Sequence, residues 1–143
     1  MIVLVQASVM TIGLNGKSEA LRELPIRLVS MPCGKEAARS LKNEKIDSVI
    51  AKWDLSDMAD GQFIKRLKAF KPNIPTIVFV KSGDIEQEIA ARSIGASAVL
   101  SDDTSDELFR ETVANILGLH TFEDVKAIST VETKSYKRAK ASG

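Results

Sequence analysis

Residues 47–61, DSVIAKWDLSDMADG, contain the pattern that decides the fold of this chain. The run VIA is apolar at consecutive positions, without the alternation of a strand that faces water on one side. A strand that is buried on both faces has this pattern, and such strands form parallel sheets covered by helices. The following loop is rich in aspartate, as if built to present a carboxylate, yet the residue at the strand tip is Lys52.

Four further runs rich in valine and isoleucine resemble this strand: MIVLVQ (1–6), IRLVSM (26–31), PTIVFV (75–80) and SAVLS (97–101). Apolar residues recur at helical spacing in the segments between them and after the last: GKEAARSLKNEK (34–45), GQFIKRLKAF (61–70), DIEQEIAARSIG (84–95) and TSDELFRETVANILG (104–118). Strand and helix therefore alternate five times. This alternation predicts parallel strands joined by right-handed crossovers, with helices on both faces of the sheet.

The helical segments differ in how clearly their ends are marked. Residues 84–95 are predicted to form a helix that offers three isoleucines, Ile85, Ile89 and Ile94. That helix should end at Gly95 with a left-handed cap. The last helix begins with the capping-box pattern from Thr104 to Glu107 and should end at Gly118. The first crossover contains GLNGKS (13–18), whose glycines and asparagine predict an irregular helix.

Composition limits the classes of function. The chain has 143 residues, 44% of them hydrophobic, which suffices for one domain with a core. Its net charge of +1 gives no field of one sign that would attract nucleic acid or an acidic membrane. One cysteine and one histidine cannot build a His/Cys zinc site, so we expect no metal and no cofactor. Without a signal peptide or a long apolar run, we expect a cytoplasmic protein.

Residues 119–143 show no sustained periodicity and end in small and basic residues. They are predicted to form a tail or linker after a domain that spans residues 1–118.

Three segments resemble the receiver domain of bacterial two-component response regulators: GKEAARSLKNEKIDSVIAKWDLSDMADGQFIKRLKAF (34–70), IPTIVFV (74–80) and ARSIGASAVLSDDTSDELF (91–109). The resemblance extends over roughly residues 1–118. It implies a flavodoxin-like, doubly wound α/β fold with five helices and five parallel strands in the order 2-1-3-4-5. Function in such folds lies at the carboxyl ends of the strands.

The same resemblance implies a phosphorylation site. In the family, two acids after the first strand hold Mg²⁺, and an aspartate at the tip of the third strand accepts phosphate. A threonine or serine ends the fourth strand, and a lysine ends the fifth. The matching positions are, in this order, Gln6 with Ala7, Lys52, Val80 and Asp102. Because none of these positions keeps its chemistry, the resemblance implies a pseudo-receiver without a metal site.

The sequence leaves two other functions open. The loop KWDLSDMADG (52–61) is one residue longer than the family pattern, at Ala59, so Asp54 is an alternative phosphoacceptor in an ordinary phosphorelay. An enzyme on a similar sheet is the third hypothesis, although the chain shows no nucleophile–base pair or cofactor fingerprint. Our leading hypothesis is a non-enzymatic module that acts by protein–protein interaction and does not depend on phosphorylation.

The expected partner is a sensor kinase, another response regulator, a downstream effector or a second copy of the chain. By the resemblance alone, the partner surface should lie on the last two helices and the last strand. Its candidate residues are Glu86, Arg92, Ser93, Phe109 and Arg110.

The basic and acidic strand tips have exchanged places relative to the family, since Lys52 ends the third strand and Asp102 follows the fifth. Strands three and five lie roughly 10 Å apart, a gap that a lysine and an aspartate can nearly close. We therefore hypothesise that Lys52 pairs with Asp102, or with Asp54 or Asp57, and holds the loops in one state. The alternative is that Lys52 extends into solvent.

Overall fold

Five parallel strands form one sheet within residues 6–118, which are the residues that the computed structural model describes. The strands are β1 (Ala7–Ile12), β2 (Ile26–Met31), β3 (Ser48–Lys52), β4 (Thr76–Val80) and β5 (Ala98–Ser101). Their order in the sheet is β2-β1-β3-β4-β5, and every neighbouring pair is parallel. The predicted doubly wound fold is confirmed. The predicted tail, residues 119–143, lies outside the described residues.

Five helices connect or follow these strands. A 3-10 helix (Asn15–Leu21) fills the first crossover, followed by α1 (Gly34–Asn43), α2 (Gln62–Phe70), α3 (Ile85–Ser93) and α4 (Asp106–Leu117). The first helix is irregular, as predicted, because Gly13 and Asn15 both have positive φ, 70° and 54°. Gly95 and Gly118 follow α3 and α4 in left-handed conformations, which confirms both predicted ends.

The start of α4 differs from the prediction by one residue. The N-cap is Ser105, whose hydroxyl accepts a hydrogen bond from the backbone N–H of Leu108 at 3.2 Å. The predicted N-cap, Thr104, instead donates its backbone N–H to the carbonyl of Ser101. Thr104 and Ser105 are both residue types that favour the N-cap position, and the geometry of the loop selects Ser105.

The first strand of the described residues is ASVMTI (7–12), which had not been predicted as a strand; the predicted run MIVLVQ (1–6) falls, apart from Gln6, on residues that the structure does not describe. β1 is central in the sheet and pairs with both β2 and β3. Its two hydroxyl side chains are satisfied by β2: Ser8 accepts a hydrogen bond from Arg27, and Thr11 donates one to Ser30. Because these bonds satisfy the two hydroxyls, the strand can be buried although its sequence is not continuously apolar.

Side chains from each central strand alternate between two cores. Helices α1, α2 and α3 cover one face, where Val49 and Ala51 of β3 point. The 3-10 helix and α4 cover the other face, where Ile50 points. On that second face the rings of Phe79 and Phe109 meet edge to face, with centroids 5.0 Å apart. Because both faces are covered, the open edge at the carboxyl ends of the strands is where a site can form.

The three isoleucines of the α3 segment are not buried together. Ile85 and Ile89 are 67% and 59% exposed, whereas Ala91 is fully buried and Ile94 is half-buried against the core. Ile94 follows Ile85 by nine residues, which is about two and a half helical turns, so the two side chains lie on opposite sides of the helix. The helix therefore packs through small residues and leaves two large ones in solvent.

No helix within residues 6–118 is long and apolar enough to cross a membrane.

Gly61 supports a close contact in the loop before α2. Its φ is +70°, and a Cβ added there would lie 2.3 Å from Cη2 of Trp53, which is buried. We predict that Gly61→Ala lowers the free energy of unfolding by about 2–4 kcal/mol, through left-handed strain and steric overlap. Gly83→Ala is the matched control, because Gly83 has φ +84° with open space around it. Chemical denaturation should show a loss of only about 1 kcal/mol for the control; equal losses would contradict the steric argument.

Candidate functional site

A cleft of about 220 Å³ lies where the carboxyl ends of the strands meet. Sheets with this strand order bind ligands at the point between β1 and β3 where the winding direction changes, and the cleft occupies that point. The loop after β1, the tip of β3, β4 and the loop after β5 all contribute. Its lining residues are Gly13, Leu14, Asn15, Lys17, Lys52, Phe79 and Asp102. The structure thus brings Lys52 and Asp102 to one cleft, while Val80 is buried at the end of β4.

Gln6 and Ala7 do not belong to this cleft, so the predicted match to the metal-binding acids was wrong. Ala7 pairs with Ile26 at the beginning of β1, and Gln6 and Ala7 line a different cavity at the amino ends of the strands. The error arose because β1 had not been predicted as a strand. Ile12 pairs with Ala51, which puts the next residue, Gly13, beside Lys52. The positions that follow β1 at the site are therefore Gly13 and Leu14.

Neither Gly13 nor Leu14 can supply a metal ligand from its side chain. A Cβ on Gly13 would lie 2.9 Å from Cδ2 of Leu55, and φ at Gly13 is +70°. Leu14 is 6% exposed and packs in the core beneath α4. Within residues 6–118 no group of three or more His, Cys, Asp or Glu side chains could hold a metal ion. The glycine that ends the apolar run of β1 was the sequence signal that could have located this loop.

Lys52 is exposed at the tip of β3 and forms no ion pair within 4.0 Å with any carboxylate of the described residues. The hypothesis of an ion pair with Asp102, Asp54 or Asp57 was therefore wrong. Asp102 turns instead to the neighbouring loop, where its Oδ1 accepts the backbone N–H of Ser82 at 3.2 Å. The alternative, a lysine that extends into solvent, agrees with this arrangement.

Asp54, the alternative phosphoacceptor, lies two residues beyond β3 with both carboxylate oxygens engaged. Oδ1 accepts the backbone N–H of Asp60 at 2.6 Å, and Oδ2 accepts the side-chain amide of Gln87 at 3.0 Å. The carbonyl of the same Gln87 amide accepts the backbone N–H of Lys81 at 2.9 Å. Asp54 therefore joins the loop after β3 to α3 and, through Gln87, to the loop after β4.

Asp57 caps another helix. Its two oxygens accept the backbone N–H groups of Gly34 and Lys35, each at 2.9 Å, at the start of α1. The N-cap residue Cys33 makes no side-chain capping bond, so Asp57 satisfies these donors from outside the helix. The hydrogen bonds from Gly34 and Lys35 lower the pKa of the Asp57 carboxyl below its ordinary value.

Asp103 closes the loops on the β5 side of the cleft. Its carboxylate accepts hydrogen bonds from the hydroxyls of Ser101 and, at 3.0 Å, Ser82. These two bonds, together with the nearby charge of Lys17, lower the pKa of Asp103. Ser82 donates its backbone N–H to Asp102 and its hydroxyl to Asp103, so one serine joins the loop after β4 to the loop after β5.

The predicted partner residues do not form one surface. Glu86, Arg92 and Ser93 are exposed on α3, as a partner surface requires. Phe109 is fully buried against Phe79, so it cannot contact a partner. Arg110 is half-buried and donates to the carbonyl of Ala20 at 2.9 Å, which fastens α4 to the 3-10 helix on the other face of the sheet. The two exposed isoleucines of α3, Ile85 and Ile89, had not been named as candidate partner residues.

The strand order and the cleft at its switch point define a doubly wound α/β protein of the flavodoxin-like class. Residues 12–114 match the family model described as the response regulator receiver domain. The chain belongs to this family, since the match covers most of its length.

Similar proteins agree with this assignment. The transcriptional regulatory protein GlrR of Escherichia coli K12 is 24% identical over 90 residues, which are 63% of this chain and 20% of that protein. This chain thus spans about a fifth of the length of the curated relatives it matches. Among solved structures, the signal receiver domain of an HD domain-containing protein from Pseudomonas fluorescens Pf-5 superposes with a TM-score of 0.72 at 18% identity, covering 82% of this chain and 91% of that one. The chemotaxis response regulator CheY4 of Vibrio cholerae superposes with a TM-score of 0.69 at 16% sequence identity. This superposition covers 78% of this chain and 99% of that one. At these identities the solved structures support the fold alone.

Lys52 and Asp102 should act independently. We predict that Lys52→Met changes the free energy of unfolding by no more than about 0.5 kcal/mol, because an exposed lysine without an ion pair contributes little. A double-mutant cycle with Asp102→Asn should give a coupling energy of about zero, even if the second substitution is destabilising by itself through Ser82. A coupling energy well above experimental error would restore the ion-pair hypothesis.

The cap from Asp57 to α1 predicts a pH dependence. Because folding lowers this pKa, the stabilisation by Asp57 is complete above the ordinary carboxyl pKa and is lost as pH falls through the folded value. Asp57→Asn should therefore destabilise the protein near neutral pH, and the difference from wild type should shrink on acidification below about pH 4. Denaturation at several pH values measures this. Ser93→Ala, which changes an exposed position of α3 without a titratable group, is the control and should show no such trend.

Proposed function

We propose that this chain is a receiver domain that acts by protein–protein interaction without being phosphorylated. The observation that carries the proposal is the composition of the cleft between β1 and β3, where Gly13 and Leu14 stand beside Lys52. Phosphoryl transfer to a carboxylate requires the acceptor itself and a metal ion that neutralises the developing charge. Mg²⁺ in turn prefers carboxylate oxygens. A left-handed glycine, a buried leucine and a lysine offer none of these groups.

The hydrogen bonds around the cleft support a domain with one arrangement of its loops. Gln87 joins the loops after β3 and β4, and Ser82 joins the loops after β4 and β5. These side chains make the kind of link that a phosphoryl group and its ligands would otherwise make. A domain that is linked in this way does not require a covalent modification to order its loops.

The ordinary phosphorelay remains the alternative to be tested, with Asp54 as the acceptor. Its carboxylate would have to leave both Asp60 and Gln87 before it could attack a phosphodonor. No metal-binding group of acids lies among residues 6–118 to assist that step. These two observations favour the phosphorylation-independent function.

The exposed face of α3 is our proposed contact surface. Ile85 and Ile89 expose more than half of their surface there, beside Glu86, Arg92 and Ser93. Large apolar side chains that remain in solvent on a helix otherwise packed through alanine are typical of a protein-binding face. We place this interaction in the cytoplasm, with a sensor kinase, another regulator, an effector or a second copy as the partner.

Intact-mass measurement tests the proposal. The protein is incubated with Mg²⁺ and acetyl phosphate, beside a receiver that retains its aspartate as the positive control. We expect no mass gain for this chain, because acceptor and metal ligands are absent together. A gain of one phosphoryl group that disappears in Asp54→Ala would establish the ordinary phosphorelay instead.

A further inference from the structure

A groove runs between α1 and α2, away from the cleft at the strand ends. It has a volume of about 260 Å³, and its lining is mostly apolar. Helix α1 contributes Ala38, Leu41 and Lys42; the preceding loop and α2 contribute Met58, Phe63, Arg66, Leu67 and Phe70. Phe70 is 58% exposed and lines the groove. The groove therefore offers an apolar floor and one exposed aromatic side chain.

The rim of this groove is positively charged. Residues 61–75, which include all of α2, contain four lysine or arginine residues and no aspartate or glutamate. Lys42 and Arg66 line the groove, and neither forms an ion pair with another of the described residues 6–118. An occupant with acidic side chains beside an apolar ridge would complement both properties.

The exposed face of α3 has these complementary properties. Ile85 and Ile89 are one helical turn apart and form a ridge on the solvent side of the helix. Glu86 and Glu88 flank this ridge and are exposed. Glu88 has a partner in Arg92 at 3.1 Å, whereas Glu86 has no ion pair within the described part of the chain. The chain thus contains both an acidic apolar ridge and a basic apolar groove.

We propose that the α3 ridge of one copy docks into the α1–α2 groove of a second copy. A ridge of side chains four residues apart fits a groove between side-chain rows, as in ordinary helix packing. Glu86 then approaches the rim that contains Lys42 and Arg66. This inference deepens the proposed function and rests on it, because it names a second copy as the partner of the α3 face.

The contact is head to tail, since the ridge and the groove are different surfaces of the molecule. Each copy has one of each, so association continues into a chain or closes into a ring. A symmetric contact of α3 with α3 would instead place Glu86 and Glu88 of one chain near Glu86 and Glu88 of the other. The ridge and groove are small surfaces, so the association should be weak and should depend on concentration. Added salt should weaken it further by screening the rim charges.

Sedimentation velocity over a concentration series tests the inference on the full chain. The ridge variant is Ile85→Ser with Ile89→Ser, and the groove variant is Arg66→Glu with Phe70→Ser. All four positions are exposed, so both variants should fold, which circular dichroism checks. We expect the average mass of the wild type to rise with concentration, and each variant to associate at least about tenfold more weakly. Leu108→Ser, at an exposed position of α4 outside both surfaces, should associate like the wild type.

An equimolar mixture of the two variants is the decisive sample. The ridge variant retains an intact groove and the groove variant retains an intact ridge, so together they should form dimers that grow no further. A groove variant that still dimerises would show a symmetric α3 contact and overturn the inference. A wild type that stays monomeric throughout would also overturn it. Neither result alters the mass measurement with acetyl phosphate. A failure of the proposed association can therefore be distinguished from a failure of the proposed phosphorylation-independent function.

Discussion

The parallel pairing of β1 with β3 is the constraint on which the candidate site depends. Both strands are buried on both faces, so their register is fixed by packing, and Ile12 lies opposite Ala51. That register determines which residues emerge together at the carboxyl edge: Gly13 and Leu14 from one strand, and Lys52 from the other. A slip of one residue would send every buried side chain of a strand to the opposite core. The chemistry of the cleft is therefore a consequence of core packing on both sides of the sheet.

Carboxylates organise the loops around the cleft, although none of them pairs with Lys52. Asp54, Asp57, Asp102 and Asp103 each accept a hydrogen bond from a backbone N–H or a neutral side chain of another loop or helix end. Hydrogen bonds to a charged acceptor are stronger than neutral ones, and two or three together can hold an exposed loop. An exposed Lys52 ion pair would add only about 0–1 kcal/mol, so its absence costs the fold little.

The sequence predicted a strand correctly where its apolar pattern matched the burial of its side chains. β3 and β4 are continuous apolar runs and were predicted within one residue of their observed starts. β1 was missed because Ser8 and Thr11 interrupt its apolar pattern, and their bonds to β2 are invisible in sequence. Because of that error, the two positions that match the family's metal-binding acids were assigned to Gln6 and Ala7.

The errors in the helices have the same origin. A list of apolar residues does not say which side of a helix faces the sheet, and in α3 two of the three isoleucines, Ile85 and Ile89, face solvent. In α4 the opposite happened: Phe109 and Val113, four residues apart, form the buried stripe, whereas Phe109 had been assigned to a surface. How a helix packs against the sheet, more than its composition, decides which of its apolar side chains are buried.

Helix α3 connects the cleft to the proposed contact surface. Gln87, on its first turn, binds Asp54 and the backbone of Lys81, while Ile85 and Ile89 of the same helix point into solvent. The backbone N–H of Gln87 is itself capped by Asp84 at 3.0 Å, so the start of the helix is held from three directions. Any partner that docks on the isoleucines therefore meets a helix whose position is set by the loops of the cleft. The hydrogen bonds of Gln87 and Asp84 therefore join the loops of the cleft to the helix that carries the two exposed isoleucines.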